Sequence, residues 1–126
     1  MYRKIIYDSN IWISFLYTDD SNFDKAKEIL SKAKPFVLTE YIVLEVSTVL
    51  KQKAGEQIAK QFLASIISNK IEVISSMEYY DKTLEYFIKS SNKLSFVDTS
   101  LVVLSSKYKI ISFDKELAKI IANQND

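Results

Sequence analysis

The sequence contains no cysteine and no histidine among its 126 residues. Disulfides, thiolate metal sites, Ser-His-Asp triads and imidazole-bound zinc are therefore excluded. Any metal ion would have to be held mainly by oxygen atoms, which favours Mg²⁺, Mn²⁺ or Ca²⁺. A general acid or base would have to be Asp, Glu, Lys, Tyr or a metal-bound water.

Glycine and proline occur once each, so the chain has little room for flexible linkers, and we expect one domain over residues 1–126. Arg3 is the only arginine, so bidentate guanidinium contacts cannot be a general feature of binding. The net charge of +1 predicts no strong overall attraction to nucleic acid, but it does not exclude a local surface rich in lysine. The pattern of a membrane helix or signal peptide is missing, which together with the missing cysteine favours a cytoplasmic location.

Apolar spacing and turn residues predict alternating strands and helices. Strands are predicted at residues 3–7, 36–38, 71–74 and 109–112. Helices are predicted at residues 9–17, 18–33, 39–53, 56–68, 76–88, 96–107 and 115–122, with Thr39 and Ser76 as N-caps. Such alternation predicts an α/β fold with a mostly parallel sheet that is covered by helices on both faces.

Two carboxylates directly follow predicted strands. Asp8 comes after Ile5-Ile6-Tyr7, and Asp114 comes after the segment YKIISF. Ligands of open parallel sheets bind beyond the carboxyl ends of the strands, where both residues should lie. Each could instead be the N-cap of the next helix, which is worth about 1 kcal/mol, and the local sequence leaves both roles open.

Two further carboxylates lie within apolar helical segments. Glu45 borders the apolar stripe of its helix, where it could also extend to solvent or pair with Lys51 or Lys53. Asp98 lies in the otherwise uncharged segment LSFVDTSLVVLSS, where either it or Ser95 could cap the helix. Burying an unpaired carboxylate is costly, so the position of Asp98 favours a functional role over a surface one.

The four carboxylates together suggest a divalent cation. If the sheet brings them to one edge, they would repel each other strongly without a counter-ion. Mg²⁺ is typically held by one or two carboxylates and retained waters while it engages a substrate phosphate. One or two such ions can activate a water and stabilise the leaving oxygen of a phosphodiester, with no need for His or Cys.

Three segments carry a resemblance to a known family: YDSNIWISFL, EYIVLEVSTVL and LSFVDTSLVVLSSKYKIISFDKEL. In order and spacing they resemble the PIN domain, especially the small VapC-type ribonucleases. The resemblance implies a three-layer α/β/α sandwich and Mg²⁺- or Mn²⁺-dependent endoribonuclease activity. It also implies a toxin that is neutralised by a cognate antitoxin protein, and often a homodimer.

Carried over residue by residue, the resemblance makes Asp8, Glu45, Asp98 and Asp114 the catalytic acidic site, with Asp8, Asp98 and Asp114 as metal ligands. Ser9 and Ser112 would be supporting hydrogen-bond donors. The chain departs from the family at Thr99, where Ala is frequent, and at Ser47 or Thr48, near a frequent Asn. These departures remove no carboxylate but leave the choice of RNA substrate open.

Two other functional classes compete with the ribonuclease. A non-catalytic PIN-like module that binds RNA or protein would keep the fold without the activity, although all four acidic positions are filled. A phospho-acceptor receiver domain is also a small parallel α/β fold. It would have an acidic pair after its first strand and a lysine after its last, whereas here Asp8 is single and the last strand leads to Asp114.

Overall fold

The computed structural model of the protein describes residues 3–124, which form four short strands and seven α-helices. The strands are β1 (Ile5–Tyr7), β2 (Leu38–Thr39), β3 (Val73–Ile74) and β4 (Lys109–Ile111). The helices are α1 (Ser9–Leu16), α2 (Phe23–Leu30), α3 (Glu40–Lys53), α4 (Glu56–Ser68), α5 (Tyr80–Lys89), α6 (Phe96–Leu104) and α7 (Lys115–Gln124).

The strand pairings are parallel, as the sequence predicts. β1 pairs with β4, and β2 pairs with β3. A parallel bridge between Ile5 and Phe36, and a 2.9 Å hydrogen bond from the Val37 N–H to the Ile5 carbonyl, join β1 to the chain entering β2. The strands therefore lie in the order β3-β2-β1-β4, with their carboxyl ends at one edge.

Strand β1 separates two layers of apolar packing. Its side chains alternate between the faces of the sheet. Ile5 and Tyr7 pack in one cluster with Ile11 of α1 and Ala26 of α2. Ile6 packs in the larger cluster, which contains residues from α3 to α7. Helices thus cover both faces, and the predicted three-layer α/β/α fold is confirmed.

The predicted start of the fifth helix is wrong. Ser75, not Ser76, is the capping residue, and it caps only a short 3-10 turn, Ser76–Glu78. Tyr79 then adopts φ −138° and is buried, so that α5 begins at Tyr80. Packing of the Tyr79 ring against Tyr41, with centroids 5.1 Å apart, explains why the helix does not continue through this residue.

Other predicted helices are present but begin or end at different residues. α2 begins at Phe23 because residues 17–22 form turns, and α6 ends at Leu104, whose carbonyl accepts the N–H groups of Lys107 and Tyr108. Gly55 separates α3 from α4 with φ +99°, a conformation that favours glycine. None of the helices within residues 3–124 is long and apolar enough to cross a membrane.

Candidate active site

Asp8 is buried where β1 leads into α1. Its side chain is only 2% exposed, and its N–H donates to the Ile111 carbonyl of β4 at 2.8 Å. The carboxylate is also the N-cap of α1, since Oδ1 accepts the Ser9 N–H at 2.7 Å. The two roles that the sequence leaves open are compatible, because capping occupies Oδ1 while Oδ2 faces β4.

The end of β4 contributes a hydroxyl to Asp8. Ser112 Oγ donates to Asp8 Oδ2 at 2.6 Å. The same oxygen accepts hydrogen bonds from Asn10 Nδ2 at 3.1 Å and from the Asp114 N–H at 3.0 Å. The parallel pairing of β1 and β4 brings these groups together although about a hundred residues separate them along the chain.

Glu45 approaches the same site from α3. It is partly buried, and its Oε1 accepts a hydrogen bond from the hydroxyl of Ser9. Ser9 Oγ also lies 3.4 Å from Asp8 Oδ1. Ser9 therefore connects the carboxylates of Asp8 and Glu45, and Glu45 faces the site rather than the bulk solvent.

Asp98 lies in the first turn of α6, where it is partly buried. The helix is capped by Ser95, whose Oγ accepts the Asp98 N–H at 3.1 Å. Thr99 donates to the Ser95 carbonyl at 2.8 Å. The carboxylate of Asp98 takes part in this cap, because it accepts hydrogen bonds from the hydroxyl and the backbone N–H of Ser95.

Asp114 lies between β4 and α7. Its Oδ1 accepts the N–H groups of Glu116 at 3.0 Å and Leu117 at 3.1 Å, so it caps α7. Its own N–H donates to Ser112 Oγ, the oxygen that contacts Asp8. Asp114 is thus connected to Asp8 through one shared hydroxyl.

Burial and mutual repulsion govern the charge of the site. The pKa of Asp8 is raised to about 6, mainly by burial and in part by the negative charges of Asp98 and Glu45, whereas the hydrogen bonds from Ser112 and Ser9 lower it. Burial also raises the pKa of Asp98, as do the charges of Asp114 and Glu45. Glu45, Asp98 and Asp114 therefore lie close enough for their charges to affect the pKa of Asp8, of Asp98 or of both.

The residues of the site fit a hard cation. The groups beside Asp8 that could bind a cation are carboxylate and hydroxyl oxygens, which suit Mg²⁺ or Mn²⁺. The repulsion among the carboxylates, which contributes to the raised pKa values of Asp8 and Asp98, is what a bound cation would offset. Within residues 3–124, however, no three acidic side chains already form a compact ligand set. The fit thus rests on chemistry and proximity, and a cation would have to draw the carboxylates together.

Asn10 belongs to this site, although it is not among the site residues predicted from the sequence. It adjoins the predicted residues Asp8 and Ser9, but its partners, Ser112 and the Phe113 N–H, lie at the end of β4. Its place in the segment Asp8-Ser9-Asn10 is a local signal that could have pointed to it. Only the strand pairing identifies its partners.

Fold and site together define a parallel α/β domain with a cluster of carboxylates at the carboxyl edge of its sheet. The chain belongs to the PIN domain family, whose profile matches residues 5–122. Among solved structures it is similar to Mycobacterium tuberculosis VapC20, described as a sarcin-ricin loop cleaving toxin, with a TM-score of 0.82. That match has 19% sequence identity and covers 92% of this chain and 94% of VapC20. No curated protein matches the chain.

Proposed function

We propose that this chain, acting as a single domain over residues 1–126, is a metal-dependent endoribonuclease and the toxin of a toxin–antitoxin pair. The observation that carries the proposal is the set of four partly or fully buried carboxylates at the sheet edge. Hydrogen bonds of Ser9 and Ser112 connect three of them, and the charge of Asp98 acts on Asp8. Membership of the PIN domain family and the fold shared with a toxin that cleaves the sarcin-ricin loop support it. An RNA substrate and an antitoxin would place the protein in the cytoplasm.

Each carboxylate has a proposed task. Asp8, Asp98 and Asp114 would hold Mg²⁺ or Mn²⁺, and Glu45 would either join them or orient the attacking water. The bound cation would supply an activated water and offset the charge that develops on the phosphodiester. Ser9 and Ser112 would keep the carboxylates in place through their hydrogen bonds.

Lysines beside the site are candidates for binding the RNA backbone. Lys115 directly follows Asp114 and is exposed, and Lys93 is exposed in the loop that leads to Ser95. Contacts to phosphates position nucleic acid without reading its sequence. We propose that these lysines bind RNA, which makes binding dependent on salt.

The test is cleavage of a labelled RNA hairpin with the sarcin-ricin loop sequence, beside unrelated structured RNAs. Wild type, Asp8→Asn and a control variant, Asp24→Asn in the first turn of α2, are compared with Mg²⁺, with Mn²⁺ and with chelator. Cleavage that requires both the metal and Asp8, but not Asp24, is expected. Metal-independent cleavage, or full activity of Asp8→Asn, would refute the proposed site.

The alternative is a PIN-like module that binds RNA or protein without cleaving it. Calorimetric titration with Mn²⁺ separates the two functions when no RNA is cut. Binding of Mn²⁺ that Asp8→Asn abolishes would show an intact acidic site that lacks the right substrate. Failure of wild type both to bind Mn²⁺ and to cleave any RNA would favour the binding module.

We propose that the antitoxin docks in an apolar groove between α1 and α2. A cavity of about 420 Å³ is lined by the apolar residues Tyr7, Trp12, Phe15, Leu30 and Phe36 and bordered by Lys27 and Lys34. We refer to this cavity as the α1–α2 groove. The buried Nε1 of Trp12 has no protein hydrogen-bond partner. An antitoxin segment with apolar and acidic side chains would complement both the lining and the lysines.

The outer face of α5 suits a homodimer. Tyr80, Leu84, Phe87 and Ile88 are exposed on this face, and Ile88 is 72% exposed. These residues recur at helical spacing, so they form one apolar stripe. We propose that a second copy covers the stripe. Light scattering should then give a dimer for wild type and a monomer for Ile88→Glu.

A further inference from the structure

The side chain of Asn10 reaches from the start of α1 to the end of β4. We propose that Asn10 is a positioning residue which, by acting on Ser112, holds the Asp8 carboxylate in the orientation that binds the catalytic cation. This inference rests on the proposed metal-dependent function of the acidic site. It assigns a role to a residue that is neither a carboxylate nor a direct neighbour of Asp8 in the hydrogen-bond network.

The orientation of the Asn10 amide is fixed by a backbone group. The Phe113 N–H can only donate, and it donates to Asn10 Oδ1 at 3.2 Å. The amide nitrogen of Asn10 must therefore point the other way, where it donates to Ser112 Oγ at 3.1 Å. Exchanging the amide oxygen and nitrogen would place two donors against each other.

This donation determines the direction of the Ser112 hydroxyl. A hydroxyl oxygen has one proton to donate and two lone pairs that accept. Both lone pairs of Ser112 Oγ are used, by Asn10 Nδ2 at 3.1 Å and by the Asp114 N–H at 3.0 Å. The remaining proton then points to its acceptor, Asp8 Oδ2, at 2.6 Å.

The result is a carboxylate that is held at both oxygens. Oδ1 of Asp8 accepts the Ser9 N–H, and Oδ2 accepts the Ser112 hydroxyl. Without the Asn10 amide, one lone pair of Ser112 Oγ becomes free, and its hydroxyl can rotate away from Asp8. Residues that orient a metal ligand in this way commonly change metal affinity or activity by about 10- to 100-fold when removed.

A purely structural role for Asn10 makes a different prediction. In that case the side chain only ties the residues after β4 to α1 by accepting the Phe113 N–H. Its removal would lower the melting temperature but leave metal affinity unchanged. Its effect would also add to that of Ser112→Ala, whereas a residue that acts through Ser112 should have little further effect once that hydroxyl is gone.

The experiment is a double-mutant cycle with Asn10→Ala, Ser112→Ala and the double variant. Asn69→Ala, at the exposed end of α4, is the control. Calorimetry measures the Kd for Mn²⁺ in the absence of RNA, single-turnover cleavage measures the rate, and thermal unfolding monitors the fold. Asn10→Ser, whose short hydroxyl cannot span both partners, replaces Asn10→Ala if the latter does not fold.

We expect Asn10→Ala and Ser112→Ala each to weaken Mn²⁺ binding by about 10-fold, and the double variant to be no weaker than Ser112→Ala. Unchanged Mn²⁺ affinity in folded Asn10→Ala, or fully additive losses, would overturn the inference while leaving the proposed function intact. Wild type that neither binds Mn²⁺ nor cleaves RNA would overturn the proposed function, and this inference with it.

Discussion

Helix α1 connects two regions of opposite character. At its start, Asp8, Ser9 and Asn10 belong to a polar network in which each side chain has a partner in the chain. One turn later, Trp12 lines the α1–α2 groove and leaves a buried N–H without a protein partner. The polar region holds its carboxylates in place through hydrogen bonds, whereas the groove leaves apolar surface that a larger partner could cover.

The two regions would have separate roles, one in RNA cleavage and the other in neutralisation by the antitoxin. If the polar network performs the chemistry and the groove binds the antitoxin, changes in one region should leave the function of the other unaffected. The regions share α1, so both sets of variants must be checked for folding. Substitutions in each region test this independence.

The largest effect is expected from Asp98→Asn. The amide oxygen of asparagine can still accept the hydrogen bond from the Ser95 N–H, so Asp98→Asn should preserve the start of α6 while removing one charge from the site. We expect RNA cleavage to fall by about 1,000-fold, or about 4 kcal/mol in activation free energy. Antitoxin binding should be unchanged. Cleavage rates and pull-down affinities of Asp98→Asn and Asp24→Asn check this, and wild-type activity of Asp98→Asn would contradict the assignment.

The pH dependence of stability tests the electrostatics of the polar region. The pKa of Asp8 rises from 3.8 to about 6 on folding, so the folded state binds a proton more tightly than the unfolded state. Without divalent cations, stability should therefore fall as pH rises through this window, by at most roughly 3 kcal/mol. The raised pKa of Asp98 also lowers stability as pH rises.

Urea unfolding between pH 4 and pH 7 in chelator measures this loss. Asp8→Asn should lack most of it, because its amide has no charge to bury. Added Mg²⁺ should restore wild-type stability at pH 7 if the carboxylates bind the ion. Identical pH profiles for wild type and Asp8→Asn would show that Asp8 is not the group responsible.

Features that depend on neighbouring residues can be predicted from the sequence, whereas features that depend on contacts between distant segments of the chain cannot. The strand-then-Asp pattern at Asp8 and Asp114 is local, and the structure has both residues after parallel strands. The contact of Asn10 with Ser112 depends on the pairing of β1 with β4, which no local pattern specifies. The misplaced start of α5 has the same cause, since the packing of Tyr79 in the core interrupts a helix that local spacing favours.

A smaller effect, on antitoxin affinity, is expected when the charges of two lysines beside the α1–α2 groove are reversed. The double variant Lys27→Glu/Lys34→Glu changes two exposed residues that border the cavity. We expect its affinity for an acidic antitoxin segment to fall by about 10-fold at low salt, with less effect at high salt because charges are screened. RNA cleavage by the free protein should not change.

The control for charge reversal is Lys51→Glu/Lys53→Glu, at the exposed end of α3. Affinities for the antitoxin are compared by calorimetry at two salt concentrations. Equal losses in both double variants would indicate a general charge effect and would argue against docking in the α1–α2 groove.

The smallest effect is expected from Trp12→Phe, which removes the unpaired N–H but keeps an aromatic ring beside Tyr7 and Phe36. The free protein loses no internal hydrogen bond, so its stability should change little apart from the smaller ring volume. If docking exposes this N–H to the antitoxin, the complex would lose one hydrogen bond, worth about 1 kcal/mol, which corresponds to about a 5-fold weaker affinity. Competition binding against wild type, with Tyr80→Phe on α5 as the control, resolves such a difference. If Trp12→Phe bound the antitoxin as tightly as wild type, the indole N–H would not face the partner, and apolar contact alone would account for docking.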